Sequence, residues 1–117
     1  MDSHPEYDVS IEEIHHTQKL DAPSGTAISL ANDIIDKLNR KENWKNKVIE
    51  DKATLGIKSI RVSDVPGTHT ISYESANDKI EIKHVAHNRL GFAMGAILAA
   101  EFIHGKKGIY QMKDLLF

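Results

Sequence analysis

The predicted fold class is α+β, a mixed or antiparallel sheet of at least four strands covered by helices. Three observations predict it. Apolar residues fall at every second position in several short runs, as in strands with one buried face. One stretch, from Ala27, carries its apolar residues at helical spacing over about three turns. From Leu90 the chain becomes a dense mixture of small and apolar residues with the texture of a second helix.

In chain order, "YDVSIEEI" sets Tyr7, Val9 and Ile11 at period two, a strand that delivers the chain to His15 and His16. "DAPSGT" is turn chemistry, and beyond it Leu30, Ala31, Ile34, Ile35 and Leu38 line one helical face. Ser24 is placed to cap this helix, Thr26 to Leu38, leaving the amides of Gly25, Thr26 and Ala27 as open donors of its first turn. Residues 39–58 are charged and weakly periodic, which predicts a helix end and a loop with a short strand around Val48. "SIRVSDVPGTHTISYES" alternates through Ile60 and Val62, turns at Pro66 and Gly67, and alternates again through His69, Ile71 and Tyr73. That is the pattern of a hairpin. "NDK" marks another turn, and "IEIKHVAH" opens as a strand with Ile80 and Ile82 on one face and His84 partly buried beside them. "LGFAMGAILAAEFIHGKKG" predicts a helix with Phe92, Ala96, Ala99, Ala100 and Ile103 on an apolar side and Gly105 as its stop. This helix and the tail "IYQMKDLLF" are apolar enough to require a partner surface.

At 117 residues and 40% hydrophobic content, one compact domain is the default. The net charge of -2 comes from interspersed acids and bases, so no footprint for nucleic acid or an anionic membrane stands out. There are no cysteines, which removes disulfides, thiolate metal sites and cysteine nucleophiles. No apolar run approaches a membrane span, and "MDSHPEYD" lacks the marks of a signal peptide. A cytoplasmic protein is the expectation.

The chemistry is concentrated in "EIHHTQKLDAPSGTA". His15, His16 and Lys19 converge through a turn on a helix N-terminus. Imidazole titrates near neutrality and serves as general acid or base, and an ammonium adds fixed charge or a second proton. Open amides at a helix start favour a carboxylate or phosphate. Together these parts suit a small anionic substrate that must be protonated. They equally suit a plain helix cap beside strand-end histidines, and spacing alone leaves both readings open.

The seven histidines raise a metal reading, with His84 and His87 three apart and His15, His16 and His69 as additions. No His-Glu-x-x-His helix is present and side chains diverge at a strand end, so no metal is expected. His69 belongs either to a site beside the glycine turn or to an ordinary hairpin, the second being favoured. Arg89 either grips a carboxylate or is a surface charge. Lys41, Lys45 and Lys47 read as a solvated face. No Gly-x-Gly-x-x-Gly follows a strand, so no cofactor-binding residues are expected here.

"EIHHTQKLDAPSGTA" closely resembles the signature of the dihydrodipicolinate reductase family: two histidines, a lysine four after the first, and Asp-Ala-Pro-Ser-Gly-Thr-Ala. "VPGTHTISYES", "IEIKHVAHNRLGFAMGAILAAEFI" and "KGIYQMKDLLF" support the likeness, which runs from about Tyr7 to the C-terminus. The one visible departure is Thr68, where the family often has an acidic residue.

The resemblance implies the C-terminal part of a two-domain enzyme of lysine and diaminopimelate synthesis, whose N-terminal Rossmann domain, not in this chain, binds NADPH or NADH. Residues 1–90 would bind substrate and use the sheet to build a homotetramer. Residues 91–117 would return to pack on the nucleotide domain. By the same resemblance His15 is the general acid and base, Lys19 assists protonation and binds a substrate carboxylate, His16 contacts substrate, and Ser24, Gly25 and Thr26 cradle a carboxylate. The implied reaction reduces a cyclic dicarboxylate to tetrahydrodipicolinate, and the chain alone is expected to be inactive. Two competing readings are an oligomerisation module that binds no substrate and a histidine-based metal hydrolase.

Overall fold

Eight residues of alternating character seed the architecture. In the computed structural model, which describes residues 1–117, strand β1 (Asp8–His15) buries Val9, Ile11, Glu13 and His15 on one face. Period-two burial needs a partner layer, and helix α1 (Gly25–Lys37) supplies it with Ala27, Ala31 and Ile34. Ser24 caps the helix by accepting a 3.2 Å hydrogen bond from the Ala27 amide. Strands β2 (Asn43–Lys45), β3 (Thr54–Arg61), β4 (Gly67–Glu74) and β5 (Lys79–Ala86) complete a five-stranded sheet of order β2-β3-β1-β4-β5. β1 runs parallel to β3 and antiparallel to β4, and β2 is parallel to β3, so the sheet is mixed as expected.

The core lies between α1 and the sheet: Val9, Ile11, Ala27, Ala31, Ile34, Leu38, Leu55 and Ile57. Burying each large side chain among these contributes roughly 1.5–3 kcal/mol. Leu30, Trp44, Ile71 and Tyr73 pack around it.

Several expectations are corrected. The strands on either side of Pro66 and Gly67 do not form a hairpin, because β1 lies between β3 and β4. Within β3 the buried apolar residues are Leu55 and Ile57, while Val62 follows the strand and is exposed. The short strand of residues 39–58 covers Asn43–Lys45, not Val48, which is 77% exposed. Lys41 is buried, its ammonium held by Asp8 at 2.7 Å and by the Thr54 carbonyl at 3.1 Å, so it is not part of a solvated face. His84 is exposed, because β5 is an edge strand exposed over nearly its whole length.

Residues Met1–Val85 form one compact unit and Ala86–Phe117 a second. In the second, α2 (Leu90–Ile103) ends just before Gly105, whose φ of 73° suits a residue without a side chain. Arg89 is exposed at the start of this helix and makes no side-chain cap bond. α3 (Met112–Leu116), a helix the apolar tail did not announce, is held by a capping box between Gln111 and Asp114. Lys106 sits over the Phe102 ring, 3.1 Å from its centroid. No helix is long and apolar enough to cross a membrane.

The β3 register is tested by paired truncations. Leu55→Ala should lower unfolding free energy by about 2–5 kcal/mol, whereas Val62→Ala should change it by about 0.5 kcal/mol or less. Urea titration read by circular dichroism compares them, and equal losses would contradict the register.

Candidate active site

The inner face of β1 changes chemistry along its length, from Val9 and Ile11 to Glu13 and His15. Parallel pairing sets Ser59 opposite Glu13 and Arg61 opposite His15, and antiparallel pairing sets His69 opposite Glu13. Three strands therefore bring one carboxylate, one guanidinium and two imidazoles to the end of the sheet where α1 begins. Open sheets of this kind commonly present ligand sites beyond the carboxyl ends of parallel strands.

Glu13 is fully buried and its oxygens are filled. Arg61 donates to both, Nη1 to Oε2 at 2.9 Å and Nη2 to Oε1 at 3.0 Å. The Ser24 amide also donates to Oε1, at 3.2 Å. His15 Nδ1 meets Oε2 at 2.5 Å. Burial pushes the Glu13 carboxyl up, but hydrogen bonds from Arg61, Ser59 and His15 and the Arg61 charge outweigh it and lower the group to about 2.

The other nitrogen of His15 faces Gly67. A β-carbon there would lie 3.0 Å from Nε2, so the missing side chain is what keeps that nitrogen clear. His69 packs edge-on against His15 with centroids 5.1 Å apart, and its Nε2 lies 2.8 Å from Ser24 Oγ. Burial, then the neighbouring His15, push the His69 imidazole below its ordinary range. It is therefore a site residue rather than an ordinary strand position.

Lys19 lies just past a turn closed by its own amide on the His16 carbonyl at 3.1 Å. Its ammonium pairs with Asp21 at 2.9 Å and holds that carboxyl below the usual carboxylate range. Arg61 binds the same loop, through Nη2 to the Asp21 carbonyl at 2.7 Å and Nε to the Lys19 carbonyl at 3.3 Å. His16 Nδ1 is buried without a hydrogen-bond partner.

Ser24 is buried, whereas Gly25 and Thr26 are exposed. Of the three first-turn amides expected to be open, that of Ala27 is taken by Ser24 Oγ. The amides of Gly25 and Thr26 have no such acceptor and face the helix entrance. No three histidine, aspartate or glutamate side chains are grouped so as to hold a metal ion.

Sequence reasoning missed Glu13 and Arg61. The available signal was the extension of the Val9 and Ile11 period by two and four residues, which puts Glu13 and His15 on the buried face. Thr68, the family departure, is buried within β4 opposite Ile14.

The Glu13 environment makes stability pH-dependent. The folded value of about 2 lies below the ordinary 4.5, so the stabilisation is complete above pH 4.5 and is lost as pH falls toward 2. The loss amounts to about 3 kcal/mol. His69, depressed as a base, adds a further decline that begins below its ordinary 6.5. Urea midpoints measured across this range should fall in the wild type and show a flatter acid limb in Glu13→Gln; equal acid limbs would refute the assignment.

A model of the family "Dihydrodipicolinate reductase, C-terminus" matches residues 1–116. The chain is 52% identical over 112 residues to a 4-hydroxy-tetrahydrodipicolinate reductase of Christiangramia forsetii, covering 95% of this chain and 46% of the relative. A protein of the same description from Methanosarcina mazei is 42% identical, with 95% and 43% covered. The chain thus spans about half the length of the curated relatives it matches. Among solved structures, a dipicolinate-bound dihydrodipicolinate reductase from Paenisporosarcina sp. TG-14 shares the fold with a TM-score of 0.64 and 24% identity, covering 97% of this chain and 47% of that one.

Proposed function

The chain belongs to the family of dihydrodipicolinate reductase C-termini, and from that premise we propose that it binds a cyclic dicarboxylate and delivers a proton to it. The reaction served is the NAD(P)H-dependent reduction of hydroxy-tetrahydrodipicolinate to tetrahydrodipicolinate, in lysine and diaminopimelate synthesis. The observation that carries this reading is the convergence of a carboxylate-bound histidine with an open helix N-terminus at one end of the sheet.

His15 is the general acid: its Nε2, cleared by Gly67, takes up a proton to give the imidazolium and hands it to a ring carbon. Lys19 supplies positive charge for one carboxylate, and the free amides of Gly25 and Thr26 grip a carboxylate with the Ser24 hydroxyl beside them. Ser24 already accepts from Ala27, so its proton reaches a ligand only when His69 donates through Nε2. His16 contacts substrate, and its unpartnered buried Nδ1 suits that role.

The nicotinamide cofactor, NADPH or NADH, supplies hydride in such a reaction. These residues do not fit it. The β1 to α1 connection has no glycine, and at Gly25, the first residue of α1, a β-carbon would meet nothing within 4 Å, whereas a dinucleotide cradle needs close backbone approach. The cofactor is assigned to a nucleotide-binding domain outside this chain, and residues 91–117 to packing on it. Residues 1–90 form the substrate domain and assemble a homotetramer through the sheet; the exposed apolar residues of β5, Ile82 at 63% among them, favour such assembly.

Calorimetric titration of the 117-residue chain with pyridine-2,6-dicarboxylate should show binding. Lys19→Ala should weaken it by roughly 10-fold to 100-fold, the worth of one charge-assisted contact. No binding by wild type, or equal binding by Lys19→Ala, would leave the assembly reading standing alone.

A further inference from the structure

We propose that Glu13 and Arg61 are positioning residues that fix the tautomer of His15, holding its proton on Nδ1 and leaving the lone pair on Nε2. The inference rests on His15 being the proton-carrying group of the site and names what keeps Nε2 the atom at which that proton is taken up and delivered.

The hydrogen bonds around Glu13 are asymmetric in a way that decides the matter. Oε1 faces two donors that cannot become acceptors, the Arg61 Nη2 and the Ser24 amide. Oε2 faces Arg61 Nη1, also an obligatory donor, and His15 Nδ1, which alone can switch. An ionised carboxylate only accepts, so Nδ1 must carry a proton. Neutral imidazole carries one proton in total, and Nε2 is then bare, in the space that Gly67 leaves open. Arg61 makes the carboxylate permanent by binding both oxygens. It also ties this group to the Lys19 loop through the Lys19 and Asp21 carbonyls, so one side chain sets the register of both proton-active residues.

The same asymmetry dictates the outcome of an isosteric change. In Glu13→Gln the amide NH2 would face two fixed donors on the Oε1 side and one on the Oε2 side, so it turns to the Oε2 side, where the neighbouring His15 Nδ1 can accept. His15 is thereby forced to accept at Nδ1 and to carry its proton on Nε2. A buried aspartate in the serine-protease triad governs its histidine in this manner, and its amide isostere lowers kcat by about 10⁴ by imposing the wrong tautomer.

The test is long-range proton–nitrogen NMR of the 15N-histidine-labelled 117-residue chain at a pH where His15 is neutral, with pyridine-2,6-dicarboxylate titration in parallel. Wild-type His15 should show a protonated Nδ1 and a bare Nε2, and Glu13→Gln should reverse the pattern. Glu13 touches no ligand in the proposed site, so dicarboxylate affinity in Glu13→Gln should stay within about threefold of wild type, far from the loss expected for Lys19→Ala. Wild-type His15 protonated on Nε2 would overturn the proposal whether or not the variant folds, and so would an unchanged tautomer in a folded Glu13→Gln. Absence of dicarboxylate binding by wild type, with the tautomer as stated, would instead overturn the substrate reading and leave the positioning geometry standing.

Discussion

Glu13 lies at the far end of the buried face of the central strand, with no exposed surface. An ionised carboxylate in such a place costs several kcal/mol unless its oxygens are matched by donors. The forked contact with Arg61 supplies two of them, and the Ser24 amide and His15 supply the rest. Removing Arg61 would strand a buried charge, so the sheet end, the helix start and the histidine are tied to one electrostatic condition.

That condition explains why the strand order matters more than the strand count. With β1 between β3 and β4, one neighbour delivers Arg61 beside Glu13 and the other delivers His69 opposite it. A β3–β4 hairpin would have paired these flanks with each other and left β1 at an edge. The carboxylate would then have lost the donors that make its burial tolerable. The helix enters the same arrangement because Ser24 does two things at once: its amide fills Glu13 Oε1, and its hydroxyl both caps α1 and meets His69.

Legibility in the sequence followed the range of the interaction. The α1 helix, its Ser24 cap and the inner face of β1 were readable because periodicity and capping are local. "EIHHTQKLDAPSGTA" was readable as chemistry because its residues are contiguous. The hairpin misreading arose because Pro66 and Gly67 report a turn but not whether a third strand inserts between the two they join. In β3, apolar Ile60 and Val62 suggested an inner face, while the buried pair Leu55 and Ile57 stood in a stretch diluted by Lys58, Gly56 and Lys52. Lys41 resembled its neighbours Lys45 and Lys47, and only the tertiary fold puts Asp8 and the Thr54 carbonyl within its reach. Arg61 was invisible for the same reason, since its partner Glu13 lies 48 residues away.

The pairing of charges also bears on how a dianion would be held. Arg61 lies at the site, yet it is engaged by Glu13 and by two loop carbonyls, so it offers little field to a ligand. Lys19 is differently placed. Its partner Asp21 has a side chain 64% exposed, and an ion pair so open to water is worth about 0–1 kcal/mol. A carboxylate arriving at the Gly25 and Thr26 amides could draw the ammonium away from Asp21 at small cost, whereas it could not draw Arg61 from Glu13. The pair with the buried carboxylate is therefore fixed in its geometry, and the pair with the exposed carboxylate is free to exchange partners. The two cations are themselves about equally exposed, at 21% for Lys19 and 20% for Arg61, and what separates them is the burial of their carboxylate partners.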